Sequence, residues 1–108
     1  NPIALALAVC CPMSLHAEAE KRELVELPRM MQAHMLTNMR DHMAAIHEIL
    51  ASMAMDNLDD AAEIAESRLG MSSLVDHGAH HMAGFMPEGM RRMGTDMHRA
   101  ASRFALKA

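Results

Sequence analysis

Aromatic residues are almost absent from this chain of 108 residues, which has two Phe and neither Trp nor Tyr. Most cores draw their bulk from aromatics, Leu, Ile and Val, so this interior must be filled differently. Basic charge is also scarce: ten Lys and Arg face fourteen Asp and Glu, a net charge of −4 with His neutral. Without a basic excess or an aromatic stacking platform, we expect no nucleic-acid-binding domain. The length fits one small domain.

Cysteine is confined to Cys10 and Cys11, at the end of the apolar run 3–11. That run, followed by an A-x-A match at 17–19, is typical of a secretory signal whose basic n-region is missing, and it is too short to span a bilayer. We therefore expect a signal-like segment at 1–19, a charged lead-in at 20–27 and a helical bundle at 28–108, in the periplasm or secreted. The mature part would have no thiol, and hence no disulfide or Cys-ligated zinc.

The chain has no clusters of β-branched residues and no alternating apolar pattern, so strands are not predicted. Four helices are predicted instead, and an antiparallel four-helix bundle with short loops is the expected all-α fold. The sequence also has no nucleophile paired with a base and no glycine-rich phosphate loop, so we do not expect an enzyme. The helices are predicted at Pro28–Met55, Asn57–Gly70, Ser73 to Gly84 or Pro87, and Glu88–Leu106.

One stripe of the first helix carries six large apolar residues with spacings of 3, 4, 3, 4 and 3. This apolar stripe consists of Leu36, Met39, Met43, Ile46, Leu50 and Met53. The spacing predicts a bundle seam, and for so small a chain a dimer that pairs the first helices is a further expectation. His34, Asp41 and Glu48 lie elsewhere on the helix, on the side expected to face solvent.

Methionine and histidine are abundant instead, with fourteen Met and eight His. Met35, Met39 and His42 share one narrow sector of the first helix, and Met43 with His47 forms another pair four residues apart. Thioether and imidazole ligands favour a soft or borderline metal, and copper is the metal we expect. The alternative is that Met fills the core, because the same spacing serves packing.

A second candidate metal site is the run D-H-G-A-H-H-M in the third predicted helix. His77, His80 and His81 are three and four residues apart, so on one helix they would share a face and could chelate a divalent ion. Met97 and His98 of the last helix extend the candidate ligands, although the Met residues there also have the spacing of a core seam. The H-E-x-x-H motif of metalloproteases is absent.

The segments N-M-R-D-H-M-A-A-I-H-E-I-L (38–50), N-L-D-D-A-A-E-I-A (57–65) and M-H-R-A-A-S-R-F (97–104) resemble helices of cytochrome c-prime and the related b-type four-helix cytochromes. The resemblance implies an exported four-helix bundle, often dimeric. The C-x-x-C-H motif that attaches haem covalently is missing. The resemblance therefore allows only a non-covalent haem, held by Met35 or Met39 and by His98.

Three hypotheses of function follow. The first is an exported Met- and His-rich protein that buffers copper, confers resistance to it or transfers it to a copper-handling partner. The second is a non-covalent haem protein for electron transfer or gas binding. The third is a structural or interaction bundle in which each Met is part of the core.

Overall fold

The chain is all-helical in the computed structural model, which describes residues 24–108. Residues 24–108 contain four α-helices: α1 (Arg29–Ala54), α2 (Leu58–Ile64), α3 (Ala79–Met82) and α4 (Glu88–Ala105). A π-helical turn (Ala65–Leu69) continues α2, and 3-10 turns occupy Met71–Leu74 and Ala83–Phe85. The all-α prediction is confirmed, while the signal-like segment 1–19 lies outside the described residues. None of the described helices has the length and apolar character needed to cross a membrane.

The boundaries of the first two helices follow from local sequence signals. Pro28 precedes α1 directly, where its missing N–H costs no helical hydrogen bond. The connection to α2 is short because Asp56 takes a positive φ of 59°, which Asp tolerates better than most residues. The Asn57 side chain then accepts a hydrogen bond from the Asp60 N–H at 3.4 Å. The predicted limits of α1 and the predicted start signal of α2 are therefore confirmed within one residue.

One side of α1 carries the core contacts of this helix. We call this side the inner face; it comprises Asn38, His42, Ala45, Ile49 and Ser52, all buried and spaced 4, 3, 4 and 3 apart. Ala45 and Ile49 pack with Ala61, Ala65 and Leu69 from α2 and the π-helical turn, and α4 covers this cluster with Ala101, Phe104 and Ala105. Small side chains allow the helices to approach closely.

The apolar stripe was predicted to be the seam of the bundle, and this prediction is wrong for the single chain. All six of its residues are exposed, from 41% for Met53 to 68% for Met43. At 100° per residue the apolar stripe lies roughly 100° around the helix from the inner face. Methionine is likewise not the core filler, because among the buried apolar side chains of residues 24–108 only Met82 is a Met.

The predicted third helix is interrupted between its histidines. The chain forms the 3-10 turn Met71–Leu74, continues through turns to Gly78 and becomes α-helical only at Ala79. Gly78 adopts the left-handed conformation, with φ 62°, which L side chains rarely adopt and which breaks a right-handed helix. His77 therefore precedes α3, and it does not share a helical face with His80 and His81.

The side of α1 that was expected to face solvent is largely exposed and also contacts the π-helical turn. Arg68 donates two hydrogen bonds to the Asp41 carboxylate, Nε to Oδ2 at 3.2 Å and Nη2 to Oδ1 at 2.5 Å, and one to Glu48 at 2.6 Å. His34 and Glu48 on this side are exposed, as expected, and Asp41 is partly buried by the cation from the next helical segment. This forked contact fixes the π-helical turn against α1.

Candidate metal centre

Three histidines from separate parts of the chain meet in the interior. His42 comes from the inner face of α1, His77 from the turn before α3, and His98 from α4; we call them the histidine triad. Their ring centroids are 4.7 to 5.6 Å apart. All three are nearly inaccessible to solvent, with exposed fractions of 7% to 9%. The fold therefore brings together one residue from each of the three predicted helices that carry candidate ligands.

The orientation of His98 is set by the end of the π-helical turn. Its Nδ1 lies 2.7 Å from the backbone oxygen of Leu69, and because a carbonyl only accepts, Nδ1 must donate. Gly70 follows the turn, and only glycine fits there because a Cβ would lie 2.7 Å from the Glu66 carbonyl oxygen. In neutral His98 the lone pair is consequently on Nε2. Fixing one ring nitrogen by a backbone carbonyl is the usual support for a metal-binding imidazole.

His77 is held through its backbone by α1. The Asn38 side-chain amide donates to the His77 carbonyl oxygen at 2.9 Å, and the His34 Nε2 donates to the same oxygen at 2.9 Å. The left-handed Gly78 follows directly, and a Cβ there would lie 3.0 Å from His34 Nε2. Thus His34 is exposed, as expected, and it also positions the turn that carries His77.

The separations within the histidine triad suit a small metal ion. His42 Nε2 and His77 Nδ1 are 3.4 Å apart, close to the ~3.3 Å between two imidazole nitrogens that bind one tetrahedral ion at about 2.0 to 2.1 Å. One ring nitrogen from each of the three histidines lies within 4.8 Å of the others. The widest of these separations exceeds a tetrahedral edge, so binding would require small rotations of the rings.

The chemistry of this group is that of neutral nitrogen ligands. Burial lowers the pKa of His42 and of His77 below that of an exposed imidazole, and the neighbouring rings lower it further. Only uncharged imidazole has a lone pair to give to a metal, so the environment favours the form that binds. The Ser73 hydroxyl, 1% exposed, lies 3.4 Å from His77 Nδ1 and 3.5 Å from His98 Nδ1.

The remaining predicted ligands are more accessible to solvent than the histidine triad. His47, His80 and His81 are exposed, and the last two contact each other edge to face with centroids 5.8 Å apart. Met39, Met43 and Met97 are exposed as well, and Met35 is partly buried. The structure thus separates His77 from the other two histidines of its run and His42 from His47.

The sequence contained a signal for this arrangement that the spacing of large apolar residues concealed. In α4, Gly94, His98, Ala101 and Ala105 repeat every four or three residues, and the inner face of α1 has the same pattern around His42. A single His within a line of small residues indicates that helices approach closely at that ring. Asn38, which contacts His77, could not be identified from spacing because it acts across 39 residues.

Comparisons with protein-family models, with curated proteins and with solved structures gave no match to this chain. Function is therefore inferred from its own side chains.

Proposed function

We propose that this protein binds one transition-metal ion at the histidine triad and that it acts in metal handling, with copper as the favoured metal. The single observation that carries the proposal is the convergence of three buried imidazoles whose nitrogens lie within 4.8 Å of one another. Imidazole suits copper, zinc and nickel, and copper(II) binds most tightly among the divalent first-row metals. Copper buffering, resistance or transfer in the periplasm or outside the cell is the corresponding role, and a copper-handling protein the corresponding partner.

The proximity of the rings favours a bare ion over a larger cofactor at this position. His42 and His98 are 5.6 Å apart at their centroids, with His77 beside both. A metal ion fits between nitrogens at such distances, whereas a haem bound by His98 would have to displace a neighbouring ring. Haem is therefore the alternative that follows from the resemblance, and the test below includes it.

A purely structural role is the second candidate, and one observation favours it. Within residues 24–108, each fully buried side-chain nitrogen or oxygen already has a hydrogen-bond partner. Histidines can therefore be satisfied in this core without an ion. In that case the triad would serve packing and fold specificity, and the protein would be an interaction bundle.

The test is a metal titration of the full chain and matched variants in chelator-treated buffer, by isothermal calorimetry and metal analysis after dialysis. We expect one equivalent of copper, and a loss of affinity of roughly 100-fold or more in His98→Gln, since even outer contacts of a metal site change affinity 10- to 100-fold. His80→Gln is the control, because that ring is exposed. The variant Met35→Ala with Met39→Ala measures any thioether contribution with copper(I).

Thermal unfolding separates the metal proposal from the structural one. A ligand that binds only the folded state stabilises it by about 2.7 kcal/mol at 100 times its dissociation constant, so the parent should melt higher with copper. A parent that binds no more copper, zinc or nickel than the His98→Gln variant would exclude the metal site. If the parent takes up haem with a Soret band that His98→Gln lacks, the haem alternative replaces it.

A further inference from the structure

The apolar stripe of α1 is the largest regular apolar feature that the described part of the chain leaves uncovered. Its six residues are 41% to 68% exposed, and they run over about 26 Å of the helix. Isolated exposed apolar side chains are ordinary, but a continuous row at alternating spacings of three and four marks an interaction surface. The buried core cluster of the chain is contacted by the inner face of α1, and none of the six stripe residues belongs to it.

The apolar stripe continues into a groove. Ile46, Leu50 and Met53 form one wall of the groove, and Ala101 and Phe104 of α4 form the other, so its lining is entirely apolar. Side chains from a partner helix could enter this groove while the partner backbone follows the stripe. Packing of this kind, with knobs at positions three and four apart inserted between facing residues, is the geometry of helix pairs in coiled coils and bundles.

The size of this surface matches what a second copy would need. The six residues extend along about 26 Å of α1 and are each 41% to 68% exposed, and the wall from α4 adds apolar area toward the about 800 Å² that each partner buries in a standard interface. The row is also complementary to itself, since two copies present the same spacing along the same length of helix. The two α1 helices would then form one shared seam of apolar side chains, as neighbouring helices do in a bundle of four or more helices.

The apolar run 3–11 is the other occupant available in this chain, but it fits less well. Nine residues in a helix would extend about 14 Å, roughly half the length of the stripe. In an extended conformation the same run would place backbone N–H and C=O groups without partners against an apolar surface. A second copy of α1 has neither problem.

We infer that the protein is a homodimer in which the apolar stripes of two α1 helices pack against each other, with Phe104 of α4 at the edge of the interface. This inference does not depend on the metal site, because the stripe and the histidine triad occupy different sides of α1.

The test is the mass of the full chain in solution, by sedimentation velocity and light scattering in buffer with a chelator, so that metal plays no part. The parent should have twice the chain mass of 11.9 kDa. The double variant Met43→Glu with Leu50→Glu should be monomeric and keep its helical circular dichroism, because both positions are exposed in the single chain. Met55→Glu is the matched control and should remain dimeric, since Met55 is 71% exposed but lies off the stripe.

Charge complementation makes the result specific to the interface. A variant with Lys at both positions 43 and 50 should also be monomeric, and mixing it with the Glu variant should restore the dimer mass. The single variant Met43→Glu should raise the dimer dissociation constant at least roughly tenfold, as expected for a residue central to an interface. The full-chain variant Leu5→Ser with Leu7→Ser should stay dimeric.

Three results would overturn the inference: a monomeric parent, a Glu double variant that remains dimeric, or a dimer abolished by the substitutions at Leu5 and Leu7. A monomeric parent would mean that the stripe binds the apolar run 3–11 or another protein. The last would place self-association in that run. None of these results would alter copper binding at the histidine triad, so the two proposals fail separately.

Discussion

Two sides of α1 have opposite compositions and opposite surroundings. The inner face, with Asn38, His42 and Ala45 among its residues, is small and partly polar, yet it is buried. The apolar stripe is made of large Leu, Ile and Met side chains, yet it is exposed. The difference shows that side-chain size, and not hydrophobicity alone, decides which side of a helix meets its own chain. Ala45, Ala61 and Ala65 let α2 and the π-helical turn approach α1 closely, and His42 on the same face of α1 meets His77 and His98.

The largest effect should come from filling the inner face at Ala45, which has no exposed surface. Ala45→Leu adds three carbons opposite Ala61 and Ala65, and overpacking of a dense core costs typically 1 to 3 kcal/mol. Ala44→Leu, at the exposed neighbouring position, should change the free energy of unfolding by about 0.5 kcal/mol or less. Urea unfolding of both variants measures the difference. Equal effects at the two positions would mean that the helices do not approach at Ala45.

The helices themselves could be predicted from the sequence because their signals are local. Pro28, Asn57 and Gly70 begin or end segments through their own backbone and side-chain chemistry, and the structure follows them. The third helix could not be predicted in the same way. Its turn signal, Gly78, lies within a pattern of His and Met that is typical of a helix. The interruption is evident only from the left-handed backbone conformation of Gly78.

The histidine triad could be predicted only residue by residue. His42, His77 and His98 were each identified as candidate ligands, but their association depends on contacts between elements 21 to 56 residues apart in sequence. Periodicity shows which residues share one side of one helix, but it does not show which sides of different helices contact each other. Because the apolar stripe was assumed to face inward, the sequence did not indicate that His42 lies on the buried side of α1.

The second prediction uses pH to compare His42 on the inner face with His47 on the exposed side. The pKa of His42 and of His77 is lowered by burial, so below about 6.5 the unfolded chain binds more protons than the folded one. The free energy of unfolding should therefore have its full value above about pH 6.5. It should fall as the pH decreases, by up to about 1.4 kcal/mol per pH unit for each proton that the unfolded chain binds in excess of the folded chain.

Urea unfolding of the metal-free protein at several pH values from 7.5 to 4.5 measures this slope. His42→Gln should reduce the slope, whatever it does to absolute stability, and His47→Gln should leave it unchanged. Asp41, whose pKa is lowered first by its hydrogen bond to Arg68, loses its contribution only as the pH falls below about 4. A slope that is unaltered by His42→Gln would show that this ring is not buried in the folded protein.

The smallest effect is expected at the boundary between the two sides, where Arg68 pairs with Asp41 and Glu48. Its side chain is 27% exposed and the two carboxylates are 43% and 49% exposed, so solvent weakens the attraction. Arg68→Lys keeps the charge but loses the forked contact with Asp41, and we expect a loss of about 0.5 to 1 kcal/mol. Arg99→Lys is the control, because its pair with Asp96 at 3.7 Å is more exposed, and it should have no measurable effect.

Urea unfolding in low salt and in about 1 M NaCl, where the screening length is near 3 Å, should show that the loss of stability in Arg68→Lys becomes smaller as salt is added. A loss that does not depend on salt would assign the role of Arg68 to packing of its carbon chain against α1, and the charges of Asp41 and Glu48 would then contribute nothing to holding the π-helical turn.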